Sequence, residues 1–401
     1  MNKLQLNYNF LAQIYFFLLI ILSLIPSAYV EINQLRQITI ITFLGLVFLV
    51  FFFSFNMNLK TENSQNSIAI ILILLIFISF ILSLNQNFYL KGYKFLTIIP
   101  IIIFTKHVVQ KIKFDRFLNI FFTVLSSYII ISAIYALSFD VSKVFSPYAQ
   151  FAYTRYEFTD SITNHSINCL VYLFLSYSSY KKTTSLFKKN FLIITSLAAI
   201  VMIFLSASRQ VIVVIILFYF ISVFIKRDKK IVDFIKVIFI FTILSTIFYL
   251  FSHFIENSFY IRIFENEENF SSGRFDSIKF WHDMVKNEGT LGFGYIINNT
   301  SLFIVESPHN EFARFYFEGG IPGALFLIIL FFYLIKCLSQ IVNSHIDKEL
   351  KFISVLFFSV ILGQSFLNNI FNDIYRLFIY MFLLVSIYEI SLIKYNNRDN
   401  V

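Results

Sequence analysis

Charged residues are scarce in this chain. Asp, Glu, Lys and Arg make up only 14% of its 401 positions, against 58% hydrophobic, and the mean hydropathy is +0.75. Soluble domains carry about 25% charged and about 45–50% apolar residues. A chain so short of charge cannot cover itself in water, which excludes a soluble enzyme. Cysteine is nearly absent. Cys169 and Cys337 lie inside apolar runs, where they read as small buried hydrophobes rather than a disulfide or metal pair. There is no Asp-x-Asp pair to suit a sugar-nucleotide metal site, and no Cys/His cluster has zinc spacing. Gly292-Phe293-Gly294 follows no strand and lacks a third glycine, so it is not a dinucleotide loop. No cofactor is expected. The lack of an internal repeat and of a large central cytoplasmic loop weighs against a two-half transporter. The net charge of +9 is no nucleic-acid footprint, because excess Lys and Arg in a membrane protein belongs first to cytoplasmic loops.

What the sequence has in abundance is long apolar runs. They fall at roughly 10–26, 38–55, 67–84, 95–105, 117–138, 164–180, 191–207, 210–225, 234–254, 320–338, 352–368 and 374–393. Twelve helices of about 20 residues would use about 240 positions, close to the apolar content. The fourth run is short and holds Pro100, which neighbouring helices can accommodate. The first resembles a signal peptide in position. It is long, follows only Lys3 and precedes further spans, so it reads as an uncleaved helix. The expected fold is therefore all-α: a polytopic integral membrane protein of about 12 transmembrane helices. Spans one to nine occupy 1–254, a long helical extracytoplasmic loop 255–318, and spans ten to twelve 319–401. With the N-terminus inside and spans alternating, about 20 of the 32 basic residues but only about 8 of the 23 acids face the cytoplasm. Both termini are then cytoplasmic.

Loops longer than about 15 residues are usually functional or disordered. The 255–318 loop is not low in complexity, and a shorter outside loop covers about 139–163. Gly273 to Val285 reads as a helix with Phe275, Ile278, Trp281 and Val285 on one face and Ser271 or Ser272 as cap. Trp281 suits a membrane surface, so this helix is expected as a flap on the outer face.

The charges that remain near the outer face carry the chemistry. Arg209, in Ser206-Ala207-Ser208-Arg209-Gln210, lies between two spans with almost no loop. A charge so close to hydrocarbon is a functional candidate, the alternative being an arginine snorkelling to headgroups. Its planar fork suits phosphate. Arg274 opens the flap helix, where an N-terminus adds to the pull on an anion; the alternative is a solvated surface arginine. Arg155, Arg262 and Arg314 also lie outside. His309, in Ser307-Pro308-His309-Asn310-Glu311-Phe312, sits where the long loop re-enters the membrane. It can take a proton near neutral pH or simply cap the next helix. Glu306, Glu311 and Glu318 could orient it or act in its place. Asp373 and Arg376 are expected to pair at the start of the last span, and His165 to cap or pack span six. The pattern suggests metal-free chemistry on the outer face, with arginines for an anion and a histidine or carboxylate for a proton.

Three stretches resemble the O-antigen polymerase and O-antigen ligase superfamily. They are Ser206-Ala207-Ser208-Arg209; Ser272-Gly273-Arg274 with Trp281 and Gly292-Phe293-Gly294; and Pro308-His309-Asn310-Glu311 followed by Gly319-Gly320-Ile321-Pro322-Gly323. The resemblance covers roughly 200–340. It implies a metal-independent, inverting glycosyltransferase of the bacterial inner membrane, with an undecaprenyl-pyrophosphate-linked oligosaccharide as donor and a glycan as acceptor. By that resemblance Arg209 and Arg274 bind the pyrophosphate and His309 deprotonates or orients the acceptor hydroxyl. Asn310, Glu311 and Arg314 join them as substrate-binding residues. The further partners implied are membrane lipid and a chain-length regulator, with no nucleic acid. Ser307-Pro308 stand where ligases carry a second histidine, which favours a polymerase over a ligase that transfers to lipid A-core. A flippase of the same lipid-linked glycan is the alternative from another class.

Overall fold

The computed structural model describes residues 2–25, 30–54, 63–83, 98–111, 114–140, 162–206, 208–225, 274–287, 310–367 and 374–396. Within them lie twelve α-helices. They are α1 (Asn2–Leu24), α2 (Val30–Ser54), α3 (Asn63–Ser83), α4 (Ile98–Lys111), α5 (Phe114–Ala136) and α6 (Ile162–Lys182). The others are α7 (Leu186–Ser206), α8 (Arg209–Ile225), α9 (Arg274–Asn287), α10 (Glu311–Asn343), α11 (Lys348–Leu367) and α12 (Ile374–Asn396). Among the described residues five helical stretches are long and apolar enough to cross a membrane: Phe114–Ala136, Leu186–Ser206, Gly319–Asn343, Lys348–Leu367 and Tyr375–Ile393. Pro100 falls in the first turn of α4, where its missing N–H costs nothing.

The chain divides into two compact units. One comprises Met1–Ser23, Glu31–Ile120 and Gly273–Val401; the other comprises Leu24–Val30 and Phe121–Ser272. The core of the first is α12, which is buried at every position from Tyr375 to Glu389. Phe382 is its centre. Its ring lies 5.4 Å from Phe16 of α1, 5.5 Å from Phe43 of α2 and 5.3 Å from Phe117 at the start of α5. Tilted and edge-to-face contacts of this kind suit the ring quadrupole. Outward positions are just as apolar. On α3, Ala69 and Leu72 are buried while Ile70, Leu74 and Phe77 are exposed. Apolar side chains on both faces fit a helix whose surroundings are lipid. Buried hydroxyls bond back to their own helix, as Ser359 does to Val355 O and Ser386 to Phe382 O, so no polar group need face hydrocarbon.

α10 is two helical arms. Gly320 has φ 65° and ψ −162°, a region open essentially to glycine alone. Phe312 and Phe331, nineteen residues apart in sequence, have ring centroids 5.2 Å apart, and Phe315 stacks on Phe326 at 5.9 Å. A straight helix would hold the first pair roughly 28 Å apart. The chain therefore reverses at Gly320, and arm 311–319 lies antiparallel against arm 321–343. Pro322 falls in the first turn of the second arm, where proline is tolerated. The sequence reads Gly319–Gly323 as the outer start of a span; the structure adds a helical arm before it.

In the second unit α6 and α7 are joined by residues 183–185. They are held by Tyr172 Oη–Thr195 Oγ1 at 2.6 Å and Ser176 Oγ–Ser196 Oγ at 2.8 Å. Phe174 also meets Phe218 of α8 at 4.6 Å. Positions 196 and 218 are thus level and equally far from residue 207, so α7 and α8 reverse direction there. This is the near-absence of a loop that the sequence suggested.

Candidate functional site

Arg209 is the first residue of α8, directly after the α7–α8 reversal. Ser206 closes α7 by donating to Ile203 O at 2.7 Å, and Gln210 is buried. Arg274 is the first residue of α9, inside the helix expected over 273–285. The two arginines belong to different units. Trp281 is not presented to a lipid surface. It is buried with Phe317 of α10, with Ile278, Phe280, Ala313 and Tyr316 packed around them. The apolar face of α9 finds a protein partner, the first arm of α10.

The residues just before that arm's body form the best-defined polar cluster. Asn310 is the N-cap of α10. Its Oδ1 accepts from Ala313 N at 3.0 Å, and its Nδ2 donates to Phe366 O on α11 at 3.4 Å. The cap satisfies an orphan donor and ties the arm to a neighbouring helix. The capping residue is Asn310. Glu311 and Arg314 follow, 0% and 3% exposed, with Nη1–Oε2 at 3.6 Å. An acidic residue in the first turn also favours the helix dipole. The remaining faces of this short arm carry Phe312 and Phe315 against the second arm, and Ala313 and Phe317 against α9. Three residues expected to bind substrate lie at the start of this arm.

Other expected residues are placed as follows. His165 is buried inside α6, not at its cap. Tyr128 Oη lies 2.6 Å from its Nδ1, and Cys169 Sγ lies 3.8 Å from its Nε2. Arg376, at the start of α12, donates from Nη2 to Ser23 O at 3.2 Å. Beside it Arg36 of α2 donates from Nε to Leu22 O at 2.8 Å, with its guanidinium 5.3 Å from the Tyr375 ring centre. Two cations thus cap the carbonyl end of α1. The sequence reading missed Arg36; its signal was a charge next to an apolar run. His309, Arg155, Arg262, Glu306 and Asp373 lie outside the described residues, as do the side chains of Arg209, Arg274 and Glu318. Among the described residues no three His, Cys, Asp or Glu side chains gather as a metal site would require.

The basic residues of two helix connections agree in kind. Lys181, Lys182, Lys188 and Lys189 flank the α6–α7 turn, with Lys181 over Tyr177 and Lys189 over Tyr180. Lys348 and Lys351 flank the α10–α11 turn, where Lys351 Nζ donates to Val342 O at 2.7 Å.

No curated protein matches this chain. A protein-family model does, and it spans the α7–α8 reversal, α9 and most of α10. Residues 194–328 match the family described as O-antigen ligase, a similarity consistent with the O-antigen polymerase and ligase superfamily.

Proposed function

We propose that the protein is an O-antigen or capsular polysaccharide polymerase. It joins undecaprenyl-pyrophosphate-linked repeat units on the periplasmic face of the bacterial inner membrane. The observation that carries this reading is the extent of the family match, 194–328, which takes in Arg209, Arg274, His309, Asn310, Glu311 and Arg314 together. The division into a membrane domain over residues 1–254, an extracytoplasmic loop over 255–318 and a second membrane domain over 319–401 belongs to the same proposal. So do cytoplasmic termini, supported by the lysines at the α6–α7 and α10–α11 turns, and a chain-length regulator as partner.

The reaction is an inverting displacement. An acceptor hydroxyl oxygen bonds to the anomeric carbon while the bond from that carbon to the pyrophosphate oxygen breaks. The electron pair leaves with undecaprenyl pyrophosphate, and the hydroxyl proton goes to His309. Negative charge grows on the departing diphosphate, and preplaced guanidinium groups of Arg209 and Arg274 stabilise it where it develops. Removing one such contact costs about 2.7–4 kcal/mol, or about 10²–10³ in rate.

The test is reconstitution with a lipid-pyrophosphate-linked repeat unit. Ladder growth by the unaltered protein, abolished in Arg209→Ala and Arg274→Ala at equal protein level, is the expected result. No elongation by the unaltered protein with its own repeat unit would overturn the reading. One second reading is favoured by the matched family's description, a ligase. It predicts transfer of the glycan to lipid A-core and no ladder from repeat units alone.

A further inference from the structure

The second unit holds a buried polar pair that the proposed reaction does not use. Tyr128 of α5 and His165 of α6 share a bond of 2.6 Å, and both are buried. Their level in the unit follows from helix register. Phe174 meets Phe218, and α6 and α8 run in the same direction because each is antiparallel to α7. Nine residues back along α6 from Phe174 is His165; nine residues back along α8 from Phe218 is Arg209. Each step is about 13.5 Å at 1.5 Å per residue. The two residues therefore begin the same layer of the unit. α5 and α7 supply an independent check. Ser132 donates to Met202 Sδ at 2.9 Å, and Met202 lies within about one helical turn of the α7–α8 reversal. Tyr128 is one turn from Ser132 on the same helix.

This layer is more polar than a lipid-facing span needs. His165, Ser166 and Asn168 are all buried on α6, and Cys169 closes on the second imidazole nitrogen. Desolvated polar groups are retained at a cost and are high-stakes when they form a network. We propose that Tyr128 and His165 are positioning residues for the donor diphosphate: they lock α5 to α6 beneath the α7–α8 reversal and fix the helix end that carries Arg209. This rests on the donor reading given above. Tyr128 and His165 act through the helix end and do not touch the reacting atoms.

Steady-state kinetics of the reconstituted full chain on the lipid-pyrophosphate repeat unit provide the test. Tyr128→Phe removes one hydroxyl and His165→Ala removes the imidazole. In each, kcat should fall about tenfold while KM for the donor stays within about threefold, because a misplaced arginine stabilises less of the charge that grows on the departing diphosphate. His165→Gln, which keeps a hydrogen-bonding group for Tyr128, should recover most of the loss. Unchanged kcat in Tyr128→Phe, or KM rising with kcat unchanged, would overturn the proposal. If His165→Ala does not fold, Tyr128→Phe and His165→Gln decide alone. Failure of the unaltered protein to elongate would instead overturn the donor reading on which it rests.

Discussion

Cysteines placed at Phe312 and Phe331 should be joined by a short bis-maleimide within one molecule. The rings of these residues lie 5.2 Å apart, whereas an unbroken helix would separate the positions by roughly 28 Å, beyond such a reagent. The pair Phe315→Cys with Phe326→Cys should behave alike, its rings being 5.9 Å apart. Cys169 and Cys337, both buried, would be replaced by alanine beforehand. Mass spectrometry of the digested protein in membranes reads the cross-link. Val342→Cys with Lys351→Cys is the positive control, since Lys351 reaches Val342 O across the α10–α11 turn. A cross-linked control with neither test pair joined would refute the antiparallel arms. The hinge allows a second perturbation. Gly320→Ala puts a Cβ on a residue at φ 65°, at a cost of about 1–3 kcal/mol, and should lower both the melting temperature and the Phe312–Phe331 yield.

Arg314→Ala would leave Glu311 charged and enclosed, a loss of about 3–5 kcal/mol of stability that a thermal melt in detergent would register. Glu311→Ala should cost as much, and a melt unchanged in both would show that the pair is not buried. Asn310→Ala removes the cap at Ala313 N and the link to Phe366 O, and should cost about 1 kcal/mol with faster proteolysis just before α10. Phe382→Ala empties the ring cluster of the first unit. In lipid the transfer contribution to the loss falls away, leaving chiefly the cavity, so the expected cost is about 3 kcal/mol, the low end for such a change.

Much of the fold was legible because lipid-crossing helices announce themselves in composition. The five helical stretches apolar enough to cross a membrane all fall in apolar runs visible in the sequence. The helix at 274–287 was legible from the spacing of Ile278, Trp281 and Val285. The reversal at Gly320 was not. Gly319-Gly320-Ile321-Pro322-Gly323 is equally good chemistry for a helix start and for a hinge, and the phenylalanines of both arms have helical spacing whichever way the arms run. Trp281 was misplaced for a similar reason, since an apolar helical face looks the same whether lipid or another helix covers it. Of the candidate site, the sequence placed two residues at helix starts. Arg209 does open a helix after a near-loopless reversal, and Arg274 does open the helix at 274–287. The burial of Glu311 with Arg314, and the pairing of Tyr128 with His165, depend on tertiary contacts between positions that share no local pattern.

The helix at the heart of the first unit is made long after the helices it packs against. Phe16, Phe43 and Phe117 wait for Phe382, and the carbonyl of Ser23 waits for Arg376, 353 positions later. At about 5–20 residues per second of synthesis, α1 spends roughly 20–70 s without its central partner. During that interval the early helices pack without it, and a ribosome that stalls before α12 leaves Phe16, Phe43 and Phe117 without the ring they share.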